Sequence, residues 1–297
     1  PARPRGGSGM LTKALAAYIE DHGGAVLANH EVKRILVENG HAVGAETTGG
    51  ERFTGKRVVS NAHVWVTFLD LLKEWIGGDL RSRVEGIHVG NGFGMVVRAA
   101  MNKLPQFNVT DTTSDEVVKG LQLLCPSTQY LNDAYADYLR GEPSRDPAVI
   151  GMTFSAIDPT LAPEGKHTLF LWGQWYPYKL RDGLHWDGIT RREAEKLFRV
   201  IDRFAPGTSE ELIDMYIQTP PVISQKHNMP NANVMHVEML IDQMFMFRPI
   251  PELSNYQTPL KGLFMANAGM HPGGGIFGAP GYNCAREVRK SLRKVFF

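Results

Sequence analysis

Three consecutive glycines, Gly273, Gly274 and Gly275, lie between a short apolar strand, Leu263 to Ala266, and a helical pattern that starts at Pro280-Gly281. Glycine lacks a Cβ, so its backbone can come close to a flat ligand. A helix start adds unpaired N–H groups and the positive end of a dipole, both suited to an anion. Strand, glycine turn and helix N-terminus therefore describe a site where main chain does the binding. A purely structural turn would have the same spelling. His271 is the titratable residue beside the loop, and its ring can hydrogen-bond a polar group of a ligand or can simply be packed. Asn267 is a weaker candidate of the same kind. The following helix is well specified: Cys284, Val288 and Leu292 share one stripe, while Arg286, Arg289 and Lys290 face solvent.

No other motif competes. Cys125 and Cys284 are the two cysteines and form no C-x-x-C, so neither a dithiol centre nor a cysteine zinc site is encoded. H-E-x-x-H and G-x-S-x-G are absent, and His22 with His30 or His63 lacks helical pairing. No metal site is expected. Lys and Arg number 32 against 31 Asp and Glu, a net charge of +1, which argues against nucleic acid as a partner. A Met- and Phe-rich run holds Met239, Phe245 and Phe247, and Phe170 and Trp172 lie in an aromatic strand pattern. Flexible thioethers and aromatics suit the wall of a channel for an apolar substrate, or an ordinary buried sheet face. The run can also touch a membrane surface peripherally.

The elements that must hold these residues follow from periodicity. Met10, Leu11, Ala14, Leu15, Tyr18 and Ile19 form one helical stripe after Gly6-Gly7-Ser8-Gly9. Ala25 to Ala28 reads as a strand. Val32 to Val37 and His41 to Thr47 flank Asn39-Gly40, a strong hairpin signal, and Arg52 to Val59 continues the meander. Helices are expected over His63 to Ile76 and Gln122 to Arg140. Strands are expected over Gly90 to Ala100, Ile150 to Ala156, His167 to Tyr176 and Leu212 to Gln218. Thr190 to Phe204 reads as a helix capped by Thr190, with Glu193 completing a capping box. Met235, Val237, Met239 and Ile241 alternate with polar or differently facing neighbours, as in a strand.

Taken as a set, these motifs resemble the FAD-dependent phytoene-desaturase-like oxidoreductases, a group that includes carotenoid desaturases, retinol saturases and pyridine nucleotide-disulphide oxidoreductase domain proteins. The residues that carry the resemblance are Gly6-Gly7-Ser8-Gly9-Met10, Glu31-Val32 to Ile35, Asn39-Gly40, Ala42-Val43-Gly44, Val58 to Ala62, His271-Pro272-Gly273-Gly274-Gly275 and Gly278 to Ala285. The resemblance implies FAD as cofactor. Gly273, Gly274, Gly275 and Ile276 would then line the flavin ring, with Pro280 and Gly281 opening a helix near its pyrimidine edge. Val32 would offer its backbone to the adenine, and His271 would be the candidate catalytic side chain.

The implied fold is α/β, with an α+β middle domain. Residues 1–65 and 252–297 would form the second half of a flavin-binding domain, and residues 66–251 a substrate domain with a mixed or antiparallel sheet. The family's opening strand, G-x-G-x-x-G turn and helix are absent here, since Gly90, Gly92 and Gly94 have the wrong spacing. A missing segment or a partner chain would supply that half of the FAD site, or the chain would self-associate. The implied chemistry is desaturase- or saturase-like hydride transfer on an apolar polyisoprenoid or lipid-like substrate. The alternatives are a binding or assembly module that takes no FAD, and a flavin amine-oxidase-like enzyme. No run of 18 apolar residues and no signal-peptide core occurs, which points to the cytoplasm or an organelle matrix.

Overall fold

The computed structural model describes residues 3–293 of the 297. Its strands are β1 (Val32–Glu38), β2 (His41–Thr47), β3 (Arg52–Thr54), β4 (Val58–Ser60), β5 (Gly92–Met101), β6 (Gln122–Leu124), β7 (Val149–Met152), β8 (His167–Pro177), β9 (Leu212–Gln218) and β10 (Leu263–Met265). Its α-helices are α1 (Gly9–Asp21), α2 (Gly78–Glu85), α3 (Ser114–Val117), α4 (Thr128–Leu139), α5 (Thr190–Asp202), α6 (Pro220–His227) and α7 (Ala279–Arg293). The chain divides into two compact units, residues 1–26 with 91–226 and residues 27–90 with 227–297. These boundaries differ from the expected split at 65/66 and 251/252. The reason lies in the contacts of the end segments. The Gly6 N–H donates to Asp158 at 2.6 Å and the Arg3 guanidinium lies over the Phe154 ring, which draws the N-terminus into the first unit. The π-helical turn Val66–Leu71 buries Phe68 in the core of the second. The last four residues of the expected flavin domain, and its first two, lie outside the described residues.

The first unit is built on an antiparallel five-stranded sheet of order β6-β7-β8-β5-β9. Alternation sends Met95, Val97, Ala99 and Met101 of β5 to one face, with Leu169 and Leu171 of β8 and Val149 of β7. Helix α5 covers that face with Ala194, Leu197, Phe198 and Ile201, an i, i+3, i+4, i+7 stripe. Each large side chain buried there contributes about 1.5–3 kcal/mol. Phe170 and Trp172 project from the opposite face, opposite Arg98 and Val96 in the register. The Trp172 indole packs across β5 at Gly94, where a Cβ would fall 2.3 Å from its Nε1.

Two expectations fail in this unit. Residues 122–140 are not one helix, because strand β6 takes the first part and Ser127 caps α4 by accepting from the Tyr130 N–H. Thr190 is not the cap of α5. Its hydroxyl donates to Trp186 O at 2.7 Å, and Ile189 stands at the N-cap without a side-chain bond. Glu193 is not part of a capping box either. It is fully buried, paired with Lys196 at 2.6 Å and Arg192 at 2.9 Å. Helix α1 forms as expected, yet Met10, Leu11, Leu15, Tyr18 and Ile19 of its stripe are all exposed.

The second unit holds the β1-β2-β3 meander and a parallel pair, β4 with β10. Asn39 and Gly40 both take positive φ, 49° and 73°, as a type I′ hairpin turn requires. The expected strand over Arg52 to Val59 is broken by Gly55 and Lys56 into β3 and β4, which pair in different sheets. Ala25 to Ala28 forms no strand. Arg57 secures the end of α7, donating to Ser291 Oγ and Ser291 O at 2.9 Å each. A cation at a helix C-terminus also complements the dipole. Among the described residues no helix is long and apolar enough to cross a membrane.

Arg192 is 60% exposed, but Lys196 is only 16% exposed, so removing the buried Glu193 carboxylate leaves its ammonium without a counter-charge. Glu193→Ala is therefore expected to cost about 3 kcal/mol of stability. Chemical denaturation followed by circular dichroism reads this as a lower midpoint, and an unchanged midpoint would contradict the buried ion-pair assignment.

Candidate functional site

The glycine loop takes its position from β4 and β10, strands some two hundred residues apart that pair in parallel, Leu263 with Val58 and Met265 with Ser60. Immediately past β10 the chain stays fastened to the end of β4. The Ala266 N–H donates to Ser60 O at 2.9 Å, and Asn267 Nδ2 donates to Ala62 O at 2.8 Å. Asn267 is 1% exposed, and its Oδ1 accepts the Gly269 N–H at 2.7 Å. It is a buried backbone staple, not a ligand-facing amide. Tyr256 fixes the next stretch, since its hydroxyl donates to His271 O at 2.6 Å and accepts from Asn283 Nδ2 at 2.9 Å.

The loop then splits by exposure. Gly273 and Pro280 are buried, whereas Gly274, Gly275, Ile276, Gly278 and Gly281 are exposed, Ile276 to 89%. Gly273, Gly275 and Gly278 adopt φ of +109°, +148° and +63°, conformations that only glycine takes readily. At Gly275 a Cβ would also meet the Phe277 ring at 2.0 Å. Helix α7 starts at once, and its first turn carries no acidic side chain. Its orphan N–H groups and positive dipole end are thus not met by an acidic side chain of its own first turn. The His271 ring is half-buried, with its centroid 6.2 Å from that of Phe245.

The other expected residues fall in separate places. Val32 opens β1 and is 40% exposed. Phe170 and Trp172 are neighbours on the open sheet face of the first unit, where Phe170 touches Phe154 and Trp172 touches Phe93. Met239, Phe245 and Phe247 belong to the second unit and are exposed by 45–65%. The run from 235 to 247 forms turns and single 3-10 turns rather than a strand, so its alternation does not mark a buried sheet face. Positive φ at His236 and Phe245 breaks any extended run. An apolar cleft of about 650 Å³ lies beside this segment, lined by Ile87, Ile241, Phe247, Pro249 and Ile250.

Behind the loop sits a polar cluster that the sequence reading missed. His63 is 4% exposed; its Nδ1 accepts the Trp65 N–H at 3.1 Å, which leaves Nε2–H to donate to His236 O at 2.8 Å. That arrangement requires the neutral ring. The His236 ring stacks on it, centroids 6.1 Å apart and planes 19° apart. Burial pushes His63 down to about 4, against the opposing effect of its bond to His236 O. Burial also lowers His236, with the Arg248 charge adding to the effect. Neither imidazole is a proton donor at neutral pH. Arg248 itself is 1% exposed and packs under Gly273. A guanidinium inside the MFMFRPIP run was a visible signal, because a charge within an apolar stretch is either exposed or put to use.

Comparisons with known proteins bear out the resemblance drawn from the glycine motifs. The family model described as flavin containing amine oxidoreductase matches residues 2–280. Pyridine nucleotide-disulfide oxidoreductase domain-containing protein 2 of Mus musculus is 32% identical over 299 residues, covering 98% of this chain and 51% of its own. The neurosporene-forming phytoene desaturase of Cereibacter sphaeroides is 27% identical, over 97% of this chain and 52% of its own. The crystal structure of an oxidoreductase from Methanosarcina mazei matches with a TM-score of 0.61 and 20% identity, covering 97% of this chain and 55% of its own. At that identity the likeness is one of fold. The chain spans about half the length of the curated relatives it matches.

The lowered His63 value makes stability depend on pH. In the unfolded chain the ring protonates near 6.5, whereas folded it stays neutral to about 4. Protons therefore favour the unfolded state below 6.5. Stability is whole above that pH and is lost as pH falls towards 4, by on the order of 3 kcal/mol at about 1.4 kcal/mol per unit. Denaturant midpoints measured across this range should fall more steeply for the native chain than for His63→Gln. Parallel curves would refute the assignment.

Proposed function

The chain belongs to the flavin containing amine oxidoreductase family, and we propose that residues 273–281 form the part of an FAD site that faces the isoalloxazine. The observation that carries this reading is the combination of three positive-φ glycines with a helix start free of acidic side chains. Bare backbone allows a planar ring to lie close, and the N–H groups of α7 meet its electron-rich edge. A helix N-terminus stabilises a neighbouring anion by about 0.3–1 kcal/mol, and more when the site is dry. When bound, FAD supplies the capacity to take or give a hydride. This chain's own residues orient the ring and exclude water. Ile276 and Phe277 would be covered by the cofactor, and that burial would offset part of the cost of ordering the loop.

The proposed reaction is hydride transfer to or from an unactivated carbon chain in a polyisoprenoid or lipid-like substrate. Apolar side chains in the unit that holds the loop support it: Met239, Phe245 and Phe247. His271 is the candidate polar contact to flavin or substrate. Val32 would meet the adenine through its backbone.

A second reading has one observation in its favour. Gly274 to Gly278 stand exposed, as they would in a binding or assembly module that takes no flavin. The visible spectrum of the purified protein after incubation with FAD separates the two. Flavin bands that survive gel filtration at one FAD per chain support the first reading, and a colourless protein supports the second. Gly275→Ala places a Cβ where φ is +148° and the Phe277 ring stands. It is expected to weaken FAD retention at least about tenfold and to cost more than about 1 kcal/mol of stability, while far-UV circular dichroism still reports a folded chain. Undiminished FAD retention would rule out close approach at that residue.

A further inference from the structure

Arg248 is the most deeply buried charged side chain near the glycine loop, at 1% exposure. Its donors meet only neutral acceptors. Nη1 donates to Glu238 O at 3.5 Å and Gln243 O at 3.3 Å, and Nη2 donates to Met235 O at 2.9 Å and Ala268 O at 3.4 Å. Nε has no acceptor although it is out of contact with solvent. No ion pair to an Asp or Glu is formed among the described residues. Burial works against the charged guanidinium, and the nearby Glu238 carboxylate, which accepts from Asn233 Nδ2 at 2.7 Å, partly opposes that effect without bonding to Arg248. The His236 ring, the other titratable neighbour, is neutral and adds no counter-charge.

A buried charge whose counter-charge is not in direct contact is costly, and carbonyl dipoles offset only part of that cost. Carbonyl acceptors also leave the net charge in place, so the field of the guanidinium extends beyond its cage. The direction that matters is towards the loop. A Cβ on Gly273 would lie 3.8 Å from Nε, 3.9 Å from Nη2 and 4.0 Å from Cζ. The guanidinium thus rests against the face of Gly273 where a side chain would otherwise stand. Gly273 is buried over the guanidinium, and the next two residues, Gly274 and Gly275, are exposed. Low dielectric behind the loop keeps the field strong over that short path.

We propose that Arg248 holds a buried positive charge, only partly offset by Glu238, against Gly273 and thereby favours the anionic forms of a flavin lying in front of the glycine loop. This rests on the reading of the loop as a flavin site. Helix α7 and Arg248 then act from two directions on the same edge, one through partial charges and the other through a whole one. The role is electrostatic. Arg248 touches neither cofactor nor substrate, and its four carbonyl bonds tie the loop in place at the same time.

Sulfite provides a probe that a merely structural tie would not move. It adds to oxidised flavin through its sulfur lone pair, forming one N–S bond and leaving the negative charge on the ring, so its affinity reports the local potential. The protein is purified from its complete reading frame, loaded with FAD, and titrated with sulfite by visible absorption. Arg248→Met is expected to weaken sulfite binding at least about tenfold and to lower the flavin midpoint potential. Arg248→Lys, which keeps the charge and loses the fork, should stay within about threefold of the native value. Glu238→Gln removes the nearest opposing charge and should tighten sulfite binding by about threefold. An Arg248→Met protein that retains FAD with native sulfite affinity overturns the proposal and leaves the flavin reading standing. So does an Arg248→Lys protein as weak as Arg248→Met. If Arg248→Met does not fold, Glu238→Gln decides: tighter binding upholds the charge effect and unchanged binding overturns it. A native protein that takes no FAD removes the flavin reading, and the proposal falls with it.

Discussion

The parallel pairing of β4 with β10 is the constraint on which the rest of the second unit depends. Neither strand exceeds three residues, and parallel ladders require long crossovers. Here the crossover is most of the protein. The pairing survives because Leu263, Phe264 and Met265 are all buried and because Asn267 extends the ladder past its last regular bond. Tyr256 and Asn283 then fix the exit of the strand against α7. The loop between is short of slack, so its glycines are under geometric demand from both ends.

That demand explains why the glycine loop was legible before the structure. Gly273, Gly275 and Gly278 are where positive φ is required, and a glycine run before a helix start is its direct spelling. The type I′ turn at Asn39-Gly40 was equally plain, as were β7, β8, β9 and α5, where the apolar period matches the element. Local rules sufficed wherever the determining contact was local.

The failures arise where specific side-chain partners, some near in sequence and some distant, overrode the local pattern. Thr190 and Glu193 have capping-box spacing, yet Thr190 bonds Trp186 O and the buried Glu193 pairs with Lys196 and Arg192. Met235 to Ile241 alternates like a strand, but among the described residues no strand pairs with it, and positive φ at His236 ends the extension. The division into units was misjudged because Arg3 and Gly6 are held by Phe154 and Asp158, contacts that no periodicity can report. Arg248, His63 and His236 escaped notice for the same reason, since their burial is a property of the assembled unit.

The four carbonyls that receive Arg248 come from two stretches of chain, Met235 to Gln243 and Ala268. One side chain therefore laces together two segments that lack regular secondary structure of their own. Such segments ordinarily open independently, each at low free energy. Laced, they form a single cooperative patch: to loosen one is to leave a guanidinium stranded in the other. The amides around residue 270 and those around residue 243 should then exchange with solvent in concert, so the mobility of the glycine turn is governed from a stretch of chain some thirty residues away.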